Sequence, residues 1–259
     1  MEMLKIERQN LIEQELRKAG YVLVPGLSEM LRCSEETIRR DLREMEMAGR
    51  LTRTHGGAYL VEKSDKGYPI ELRKSYLQHT KQRMAAVAVR EIRQNDMIML
   101  DSSTTCLAIA EMILALEMNV TLVTNSLAVC NLFSEENTNV NLIGVGGVFR
   151  RRTSSFADPN TVEALRHYYA DKAFISCPKL SVTYGLSDNH ISEANVRRQM
   201  LKSAKKKILV VDHTKFEGTA NHLFEGLESV DLIITDQQIP DDFEAFTNQR
   251  QIQVLYSQD

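Results

Sequence analysis

The 259-residue sequence has no apolar run near the roughly 20 residues that a membrane-spanning helix needs. Its first ten residues, MEMLKIERQN, are charged and contain no apolar core followed by a cleavage site, so we expect no secretory signal. No C-x-x-C pair occurs, which argues against a disulfide framework or a zinc site, and the cysteines are scattered at Cys33, Cys106, Cys130 and Cys177. These absences predict a cytoplasmic protein with reduced thiols, no membrane contact, no metal and no cofactor.

The sequence also lacks an excess of positive charge. It has 32 Lys and Arg against 35 Asp and Glu, a net charge of -3, and residues 1–60 hold ten of each sign. Composition alone therefore does not indicate a nucleic-acid-binding protein. If this part of the chain binds DNA, its positive charges must be sorted onto one face.

No internal repeat and no low-complexity tract is present, so the chain is best divided by its local patterns. Residues 4–19 have helical periodicity, a short helix is expected from Pro25 to about Arg32, and Ser34 is a good N-cap for a third helix that ends at Gly49. Two short strand-like runs then surround Gly56 and Gly57, which predicts a tight hairpin. Three helices followed by a hairpin indicate a winged helix-turn-helix over residues 1–60.

The third helix has an apolar face and a basic face. Ile38, Leu42 and Met45 share one side at helical spacing. Three arginines lie opposite that side or on its flank, namely Arg39, Arg40 and Arg43. One interpretation is an ordinary solvated helix whose arginines pair with Glu36 and Glu44.

The context favours a second interpretation, in which this helix enters the major groove of DNA. A short turn, RCS, presents it after the preceding helix, as in helix-turn-helix proteins. Arginine can bond guanine edges or phosphate in pairs, and Thr37 can reach a base edge or a thymine methyl group. The hairpin offers Arg53, Thr54 and His55 to the DNA backbone or minor groove.

Residues 61–75 begin with a polar stretch containing Gly67 and Pro69 and are predicted to be a linker. Residues 76–259 then alternate short apolar runs with helical patterns. The runs lie at 97–100, 120–123, 140–145, 172–176, 207–211, 231–235 and 252–256. Continuous apolar strands separated by helices predict a mostly parallel sheet covered on both faces, an α/β domain.

A polar loop, Asp101–Thr105, joins the first of these runs to a helix and carries four hydroxyl residues. Backbone N–H groups at a helix N-terminus favour an anion such as phosphate, although plain capping by Ser102 or Ser103 would need only one hydroxyl. Further polar or glycine-containing motifs follow other strands, where ligands of open α/β sheets bind. Their candidate residues are Thr124, Asn125, Ser126, Gly146, Gly147 and Lys215.

The segment TIRRDLREMEMAGRLTRTHGGA (Thr37–Ala58) resembles the signature of the DeoR family of bacterial transcriptional regulators. In that family the helix with the TIRRD segment reads operator DNA. The resemblance implies this role for Ser34, Thr37, Arg39, Arg40 and Arg43. Asp41 lies toward the apolar side of the helix, so we expect a structural salt bridge or a capping role for it.

The resemblance continues in the second half through DSSTT, TNS, GG, SEANVRRQM and DHTK. The family's C-terminal domain is similar to sugar-phosphate isomerases and typically senses a phosphorylated sugar. This implies phosphate binding by Ser102, Ser103, Thr104 and Thr105. It implies sugar contacts by Asp101, Asn125, Glu193 and Lys215. Asp158, where the family commonly has glycine, is expected to border the pocket and to repel a second anionic group.

The resemblance implies a homo-oligomeric regulator, a dimer or tetramer, most simply a repressor of carbohydrate-metabolism genes. A second hypothesis is a sugar-phosphate isomerase fused to a DNA-binding module. Asp101, Glu193 and Lys215 would then supply an acid, a base and a cation. A third hypothesis is a sensor for an unphosphorylated ligand.

Overall fold

A computed structural model describes residues 4–60, 69–134, 138–216 and 218–257. The chain divides into two compact units, Met1–Leu77 and Gln78–Asp259. The predicted linker begins at residues 61–68, which lie outside the described residues. Its remaining part, 69–75, is largely helical and belongs to the first unit, whereas the sequence analysis ended the first domain at residue 60.

The first unit contains four helices and three short strands within its described residues. In chain order they are α1 (Lys5–Ala19), β1 (Tyr21–Leu23), α2 (Val24–Leu31), α3 (Glu35–Met47), β2 (Thr52–Arg53), β3 (Gly57–Tyr59) and α4 (Ile70–Ser75). The strands form an antiparallel sheet in the order β1-β3-β2. This is the predicted winged helix-turn-helix, with a third strand that the sequence analysis described only as a brief extended segment.

The core of this unit comes from the periodic apolar residues of the helices. Ile12 and Leu16 of α1 and Ile38, Leu42 and Met45 of α3 are almost completely inaccessible to solvent. The helix ends follow their predicted signals as well. Gly20 ends α1 in the left-handed region with φ 83°, and Pro25 lies in the first turn of α2.

The hairpin, which we call the wing (Thr52–Tyr59), places its two glycines differently from the prediction. Its turn is closed by the Thr54 amide, which donates to the Gly57 carbonyl at 2.8 Å, so His55 and Gly56 form the wing tip and Gly57 begins β3. A Cβ atom at Gly57 would lie 1.9 Å from the carbonyl oxygen of Val22 in β1. Gly57 is therefore required by the close approach of β1 and not by the turn.

The second unit is a three-layer α/β domain. Its helices are α5 (Gln78–Ala88), α6 (Thr104–Ala115), α7 (Leu127–Ser134), α8 (Pro159–Leu165), α9 (Ile191–Lys202) and α10 (Asp241–Arg250), with 3-10 turns at Val89–Glu91, His213–Lys215 and Leu227–Ser229. Its strands are β4 (Met97–Leu100), β5 (Thr121–Thr124), β6 (Asn141–Gly144), β7 (Phe149–Arg150), β8 (Ser155–Phe156), β9 (Ala170–Ile175), β10 (Lys179–Ser181), β11 (Gly185–Asp188), β12 (Ala204–Val210), β13 (His222–Glu225), β14 (Leu232–Thr235) and β15 (Gln253–Tyr256).

Seven strands form one sheet in the order β15-β14-β12-β9-β4-β5-β6, and every neighbouring pair is parallel. Each of the seven predicted apolar runs corresponds to one of these strands. From β4 the chain first winds outward to β5 and β6 and then returns to the other side of β4 at β9. The crevice between the carboxyl ends of β4 and β9 is thus the switch point, where such sheets bind ligands.

Alternate residues of each strand serve two hydrophobic cores. Ile98 and Leu100 of β4 pack with α5 and α6, whereas Met99 packs in the core that contains α9 residues such as Met200. Burial on both faces explains why these strands are continuous apolar runs in the sequence. Two smaller antiparallel sheets, β10-β11-β13 and β7-β8, were not predicted because none of their strands is a continuous apolar run in the sequence.

Among the described residues, every helix is too short or too polar to cross a bilayer. No cluster of three or more histidine, cysteine, aspartate or glutamate side chains suited to holding a metal ion occurs in the same residues.

Candidate functional site

The start of α3 is built as the sequence predicts. Ser34 is the N-cap residue, and its Oγ accepts a hydrogen bond from the Thr37 amide at 3.2 Å. The Thr37 hydroxyl lies 2.9 Å from the same Oγ atom. Glu35 and Glu36 follow in the first turn, where the helix dipole favours acidic side chains.

The two faces of α3 have opposite environments. Arg40 and Arg43 are exposed, whereas Asp41 is completely buried. The guanidinium of Arg8 in α1 donates through both Nε and Nη2 to the Asp41 carboxylate, with 3.2 Å between Nη2 and Oδ1. The expected structural role of Asp41 is confirmed, because this buried ion pair joins α1 to α3.

Arg39 connects α3 to the wing. Its Nη1 donates to the carbonyl oxygen of His55 at 2.9 Å, and its Nη2 lies 3.1 Å from Oε2 of Glu35. Arg39 thus pairs with Glu35 and not with Glu36. Glu44 accepts hydrogen bonds from Lys5 and from Gln9 of α1, the latter at 3.1 Å. The hydrogen bond from Lys5 lowers the pKa of Glu44 most, and the nearby charge of Arg40 contributes to the same shift.

A groove of about 330 Å³ lies between α3 and the wing. The four basic residues Arg39, Arg43, Arg53 and His55 line it together with Glu36 and Glu46. The Arg53 amide donates to Oε1 of Glu46 at 2.8 Å, which holds β2 beside α3. The structure thus brings the predicted basic residues of helix and hairpin to one side of the first unit, with Arg40 exposed on the same helix.

In the second unit, the loop after β4 reaches the N-terminus of α6 at the switch point. Ser103 is the N-cap residue of α6, because its Oγ accepts from the Cys106 amide at 3.0 Å. Ser102 donates to Oε2 of Glu193 at 3.1 Å. Thr104 and Thr105 form the buried first turn of the helix. Plain capping accounts for Ser103 but not for the other three hydroxyl residues.

Asp101 is buried, and both of its carboxylate oxygens accept hydrogen bonds. Its Oδ1 accepts from the Ser103 amide at 2.9 Å, and its Oδ2 accepts from the Ser176 amide at 3.0 Å and from Nε of Arg197 at 2.7 Å. Burial by itself raises the pKa of Asp101. The charge of Arg197 and the hydrogen bonds from Ser103 and Ser176 outweigh burial, so the pKa lies below its ordinary value and the carboxylate is ionised.

Arg197 of α9 is the residue that the sequence analysis missed. Its Nη1 also pairs with Asp188 and lies 4.0 Å from Oε2 of Glu193, so one buried guanidinium faces three carboxylates. Burial lowers the pKa of Arg197, but the charges of Asp188, Asp101 and Glu193 raise it by more than burial lowers it. The side chain therefore remains charged. The available signal was the apolar spacing of α9, whose buried Ala194, Met200 and Leu201 leave Arg197 on the inner face.

Glu193 joins three segments. Besides the Ser102 hydroxyl, it accepts from Thr153 at 3.0 Å and from Ser155 at 2.7 Å, both on its Oε1 atom. Nε of Arg150 lies 3.9 Å from the same oxygen. Glu193 therefore binds the β7-β8 hairpin to α9 and to the loop after β4, a set of contacts that the sequence analysis did not anticipate.

The three residues at the carboxyl end of β5, Thr124, Asn125 and Ser126, are buried and use their polar atoms differently. The Thr124 hydroxyl donates to the Leu100 carbonyl at 2.8 Å, and the Ser126 Oγ accepts from the Val129 amide at 3.3 Å. Asn125 donates through Nδ2 to the Phe156 carbonyl at 2.8 Å. The Oδ1 atom of Asn125 is buried and has no hydrogen-bond partner among the described residues. An unused buried acceptor of this kind calls for a donor.

Gly146 and Gly147 have a local structural role. Gly147 has φ 144°, and a Cβ atom there would lie 2.1 Å from Oγ1 of Thr161. The Gly146 carbonyl accepts from that hydroxyl at 2.9 Å. Asp158 is the N-cap residue of α8 and accepts from the Thr161 amide. The hydrogen bonds with Thr161 lower the pKa of Asp158, so the capping carboxylate is ionised, and its repulsion of a second ligand anion stays a prediction.

Lys215 lies in the 3-10 turn after β12. Its Nζ is 3.7 Å from Oδ2 of the buried Asp212, and about a quarter of the lysine side chain is exposed. It follows a strand of the main sheet, as predicted. The contacts described above join Asp101, Ser102, Ser103 and Glu193 directly, whereas Lys215 is paired with Asp212.

Comparison with protein families gives a consistent result for both units. Residues 8–64 match the DeoR-like helix-turn-helix domain, and residues 77–237 match the DeoR C terminal sensor domain. The chain belongs to the DeoR family. The DeoR sensor match contains every candidate effector residue from Asp101 to Lys215, and the helix-turn-helix match contains every candidate DNA-binding residue.

Similar DeoR-type proteins share about three residues in ten with this chain over nearly its whole length. The HTH-type transcriptional regulator IolR of Bacillus subtilis (strain 168) is 29% identical over 96% of this chain and 98% of that protein. The L-fucose operon activator of Escherichia coli (strain K12) is 30% identical over 91% of this chain and 96% of that protein. The transcriptional repressor AccR of Agrobacterium fabrum is 30% identical over 89% of each.

Solved structures similar to this DeoR-family chain include ribose 5-phosphate isomerase A from Methanocaldococcus jannaschii. It has a TM-score of 0.39 and 16% identity, over 54% of this chain and 55% of that one. The eIF2B delta structure from Chaetomium thermophilum has a TM-score of 0.40 and 11% identity, over 81% of this chain and 65% of that one. Likenesses of this size carry no argument about chemistry.

Proposed function

We propose that this DeoR-family chain is a cytoplasmic repressor of carbohydrate-metabolism genes. It binds double-stranded operator DNA through α3 and the wing, as a homo-oligomer, and a phosphorylated sugar or related metabolite controls that binding. The relatives support control of sugar genes, since one is named the L-fucose operon activator, and the repressor AccR supports the direction of that control.

One observation carries the DNA-binding half of the proposal. Arg40 and Arg43 are exposed on α3, while Ile38 and Leu42 on the same helix are buried. An amphipathic helix that presents guanidinium groups outward after a short turn is suited to the major groove. Arg53 and His55 then extend the basic surface onto the wing, and Ser34 and Thr37 lie where the helix begins.

The effector half is supported by the crevice at the switch point. The N-terminus of α6 offers backbone N–H groups and the side chains of Ser102, Ser103, Thr104 and Thr105 to a phosphate. The unused Oδ1 atom of Asn125 would accept a hydrogen bond from a hydroxyl group of the sugar. Asp101 and Glu193 are engaged in the contacts given above, so they hold the frame of the crevice. Thr124 and Ser126 likewise support the chain around Asn125.

We infer that the chain senses its ligand and does not isomerise it. A general base works best when its pKa lies near the working pH, whereas the pKa of Asp101 lies below its ordinary value. Glu193 is held by hydroxyl groups of three residues: Ser102, Thr153 and Ser155. Isomerisation of pentose or hexose phosphates above background by the purified protein would contradict this inference.

The first experiment is thermal-shift screening against sugar phosphates and the corresponding free sugars. A ligand that binds only the folded state raises the melting temperature. At one hundred times its Kd it adds about 2.7 kcal/mol to the free energy of unfolding. We expect a sugar phosphate to exceed its free sugar. An equal response to both would favour a sensor of unphosphorylated ligands.

The second experiment measures binding to DNA from upstream of the chain's own and neighbouring genes by fluorescence anisotropy, with and without the ligand found. Arg40→Ala should weaken operator binding by about 1–3 kcal/mol and leave ligand affinity unchanged. Asn125→Ala should weaken ligand binding and leave operator binding unchanged. Because the two ligands are thermodynamically linked, operator DNA must weaken effector binding by the factor that effector weakens operator binding. No preference for any upstream site would contradict the proposal.

A further inference from the structure

The two adjacent arginines of α3, Arg39 and Arg40, are in different situations. Arg40 is exposed. Arg39 donates through one terminal nitrogen to the His55 carbonyl at 2.9 Å and lies with the other nitrogen 3.1 Å from the Glu35 carboxylate. The planar guanidinium of Arg39 is thus spread between the wing tip and its own helix, which leaves it poorly placed to bond a base edge in pairs.

The wing tip has little support of its own. Strands β2 and β3 pair at only two positions, Thr52 with Tyr59 and Arg53 with Ala58. A hairpin this short is marginal without outside contacts. The wing tip, His55 and Gly56, therefore depends on what touches it from outside the ladder.

Contacts from three neighbouring segments of the first unit hold the wing tip. From α2, the Val24 amide donates to the Gly56 carbonyl at 2.9 Å. Arg39 holds the main chain of His55 from α3. The Tyr76 ring, after α4, lies 5.2 Å from the His55 ring, centroid to centroid. A Cβ atom at Gly56 would lie 2.9 Å from Oγ of Ser75, so the end of α4 also lies against the wing tip.

We infer that Arg39 is a positioning residue, which sets the wing tip relative to α3 so that His55 and Arg53 can meet the DNA, and that Arg40 is the arginine that contacts DNA directly. This inference deepens the proposed function and rests on it. It divides the two arginines of the TIRRDL segment by role, although they are identical in type and adjacent in sequence.

The test is a double-mutant cycle on operator affinity at one salt concentration. Arg39→Gln and Arg40→Gln are each made in the native protein and in a truncated background, which is the full-length chain with the wing side chains shortened by Arg53→Ala and His55→Ala. If Arg39 acts through the wing, Arg39→Gln weakens binding about tenfold in the native background, since a hydrogen bond from a charged group is lost. In the truncated background its effect falls within about twofold, because nothing remains to be positioned.

Arg40→Gln is the matched control and should weaken binding by the same factor in both backgrounds. Equal losses for Arg39→Gln in the two backgrounds would show direct DNA contact and overturn the inference. No loss in either background would also overturn it. Arg39→Lys retains a donor for the His55 carbonyl and should restore most of the affinity, whereas Arg40→Lys should not, because lysine lacks the bidentate fork.

A measurement without DNA separates this inference from the proposed function. Amide hydrogen exchange of Thr54, whose N–H closes the wing turn, reports opening of the wing. Arg39→Gln should accelerate exchange at Thr54 and Arg39→Lys should not, while Arg40→Gln leaves it unchanged. If no operator binds the native protein, the proposed function fails, but unchanged exchange in Arg39→Gln is what would refute the positioning role.

Discussion

Each unit carries an Arg-Arg pair on a helix, and the two pairs have opposite environments. In α3, Arg40 is exposed and Arg39 is partly exposed against the wing. In α9, Arg197 is buried among three carboxylates, and Arg198 donates to the Phe224 carbonyl at 2.7 Å. The same dipeptide thus faces solvent in the first unit and organises a buried site in the second.

The difference lies in where each helix packs. Helix α3 buries one apolar face against a small core, and its other side is left to solvent. Helix α9 lies on a seven-stranded sheet beside the switch point, so its inner face meets Asp101 and Asp188. A buried guanidinium is tolerated there only because carboxylates compensate its lost hydration. The residue type alone does not distinguish the two roles.

The largest expected effect is the loss of the buried arginine. Arg197→Met leaves Asp101, Asp188 and Glu193 without their shared cation, which should reduce the free energy of unfolding of the second unit by about 3–5 kcal/mol. Urea unfolding, analysed for each unit separately, measures the change. Arg198→Met is the matched control and should cost about 1–2 kcal/mol. Equal costs would remove the distinction between the two arginines of α9.

The first unit has its own buried arginine, and it offers a parallel test. Arg8→Met strands the fully buried Asp41 carboxylate and should destabilise the first unit by about 3 kcal/mol. Adding Asp41→Leu should recover much of that loss, because no uncompensated charge remains. Lys5→Ala, which removes a solvent-screened pair with Glu44, should cost far less than Arg8→Met. If Lys5→Ala cost as much as Arg8→Met, burial would not be what separates these pairs.

Two glycines of the first unit sharpen the comparison for backbone positions. Gly57→Ala places a Cβ atom against the Val22 carbonyl and should destabilise the unit by about 1–3 kcal/mol while loosening the wing. Gly26→Ala meets no atom within 4 Å inside α2 and should stabilise by about 0.5–1 kcal/mol. Thermal unfolding of the two variants should give shifts of opposite sign, and shifts of the same sign would contradict the assigned roles.

The acid stability of the second unit should depend on Asp101. Its pKa is lower in the folded chain than in the unfolded chain, so its contribution to stability is complete above the unfolded value of about 3.9. That contribution is lost as the pH falls further, through the folded pKa. We expect stability measured from pH 5 downward to fall less steeply in Asp101→Asn than in the native protein. An identical pH dependence would show that Asp101 is not a contributor.

The smallest effect concerns thiol reactivity. Burial raises the pKa of Cys177 to about 12, and it also raises the pKa of the half-buried Cys33 in the first unit, whose thiol solvent still reaches. Since the thiolate is the reactive form, a thiol reagent at pH 8 should label Cys33 before Cys177 in the native protein. Labelling of Cys177 at the rate seen in denaturant would contradict its burial.

Much of the fold follows from local patterns. The periodicity of α1 and α3, the N-cap Ser34 and the seven apolar runs all correspond to observed elements, because each depends on residues close in sequence. The β7-β8 and β10-β11-β13 sheets were not predictable in this way. Each of their strands holds only one or two apolar residues, so none forms a continuous apolar run, and β13 reaches β11 from a distant part of the chain.

The candidate site was predictable in its location but less in its division of labour. The strand-end motifs indicated Asp101, Ser102 and Asn125, and the family resemblance implied Glu193. The structure places these four at the switch point or beside it. Nothing in the motifs indicated that Asp101 and Glu193 would be held by Arg197, Thr153 and Ser155. Such contacts join residues 38 to 96 positions apart and depend on how α9 and the β7-β8 hairpin pack.

The sequence by itself determined the three helices before the wing, the seven parallel strands and the two-unit order, because hydrophobic period and capping act over a few residues. Tertiary structure alone decided which partners the buried arginines have, which carboxylates are paired and which glycine is essential. Those properties depend on desolvation and on close approach between segments distant in the chain, and no local pattern encodes either.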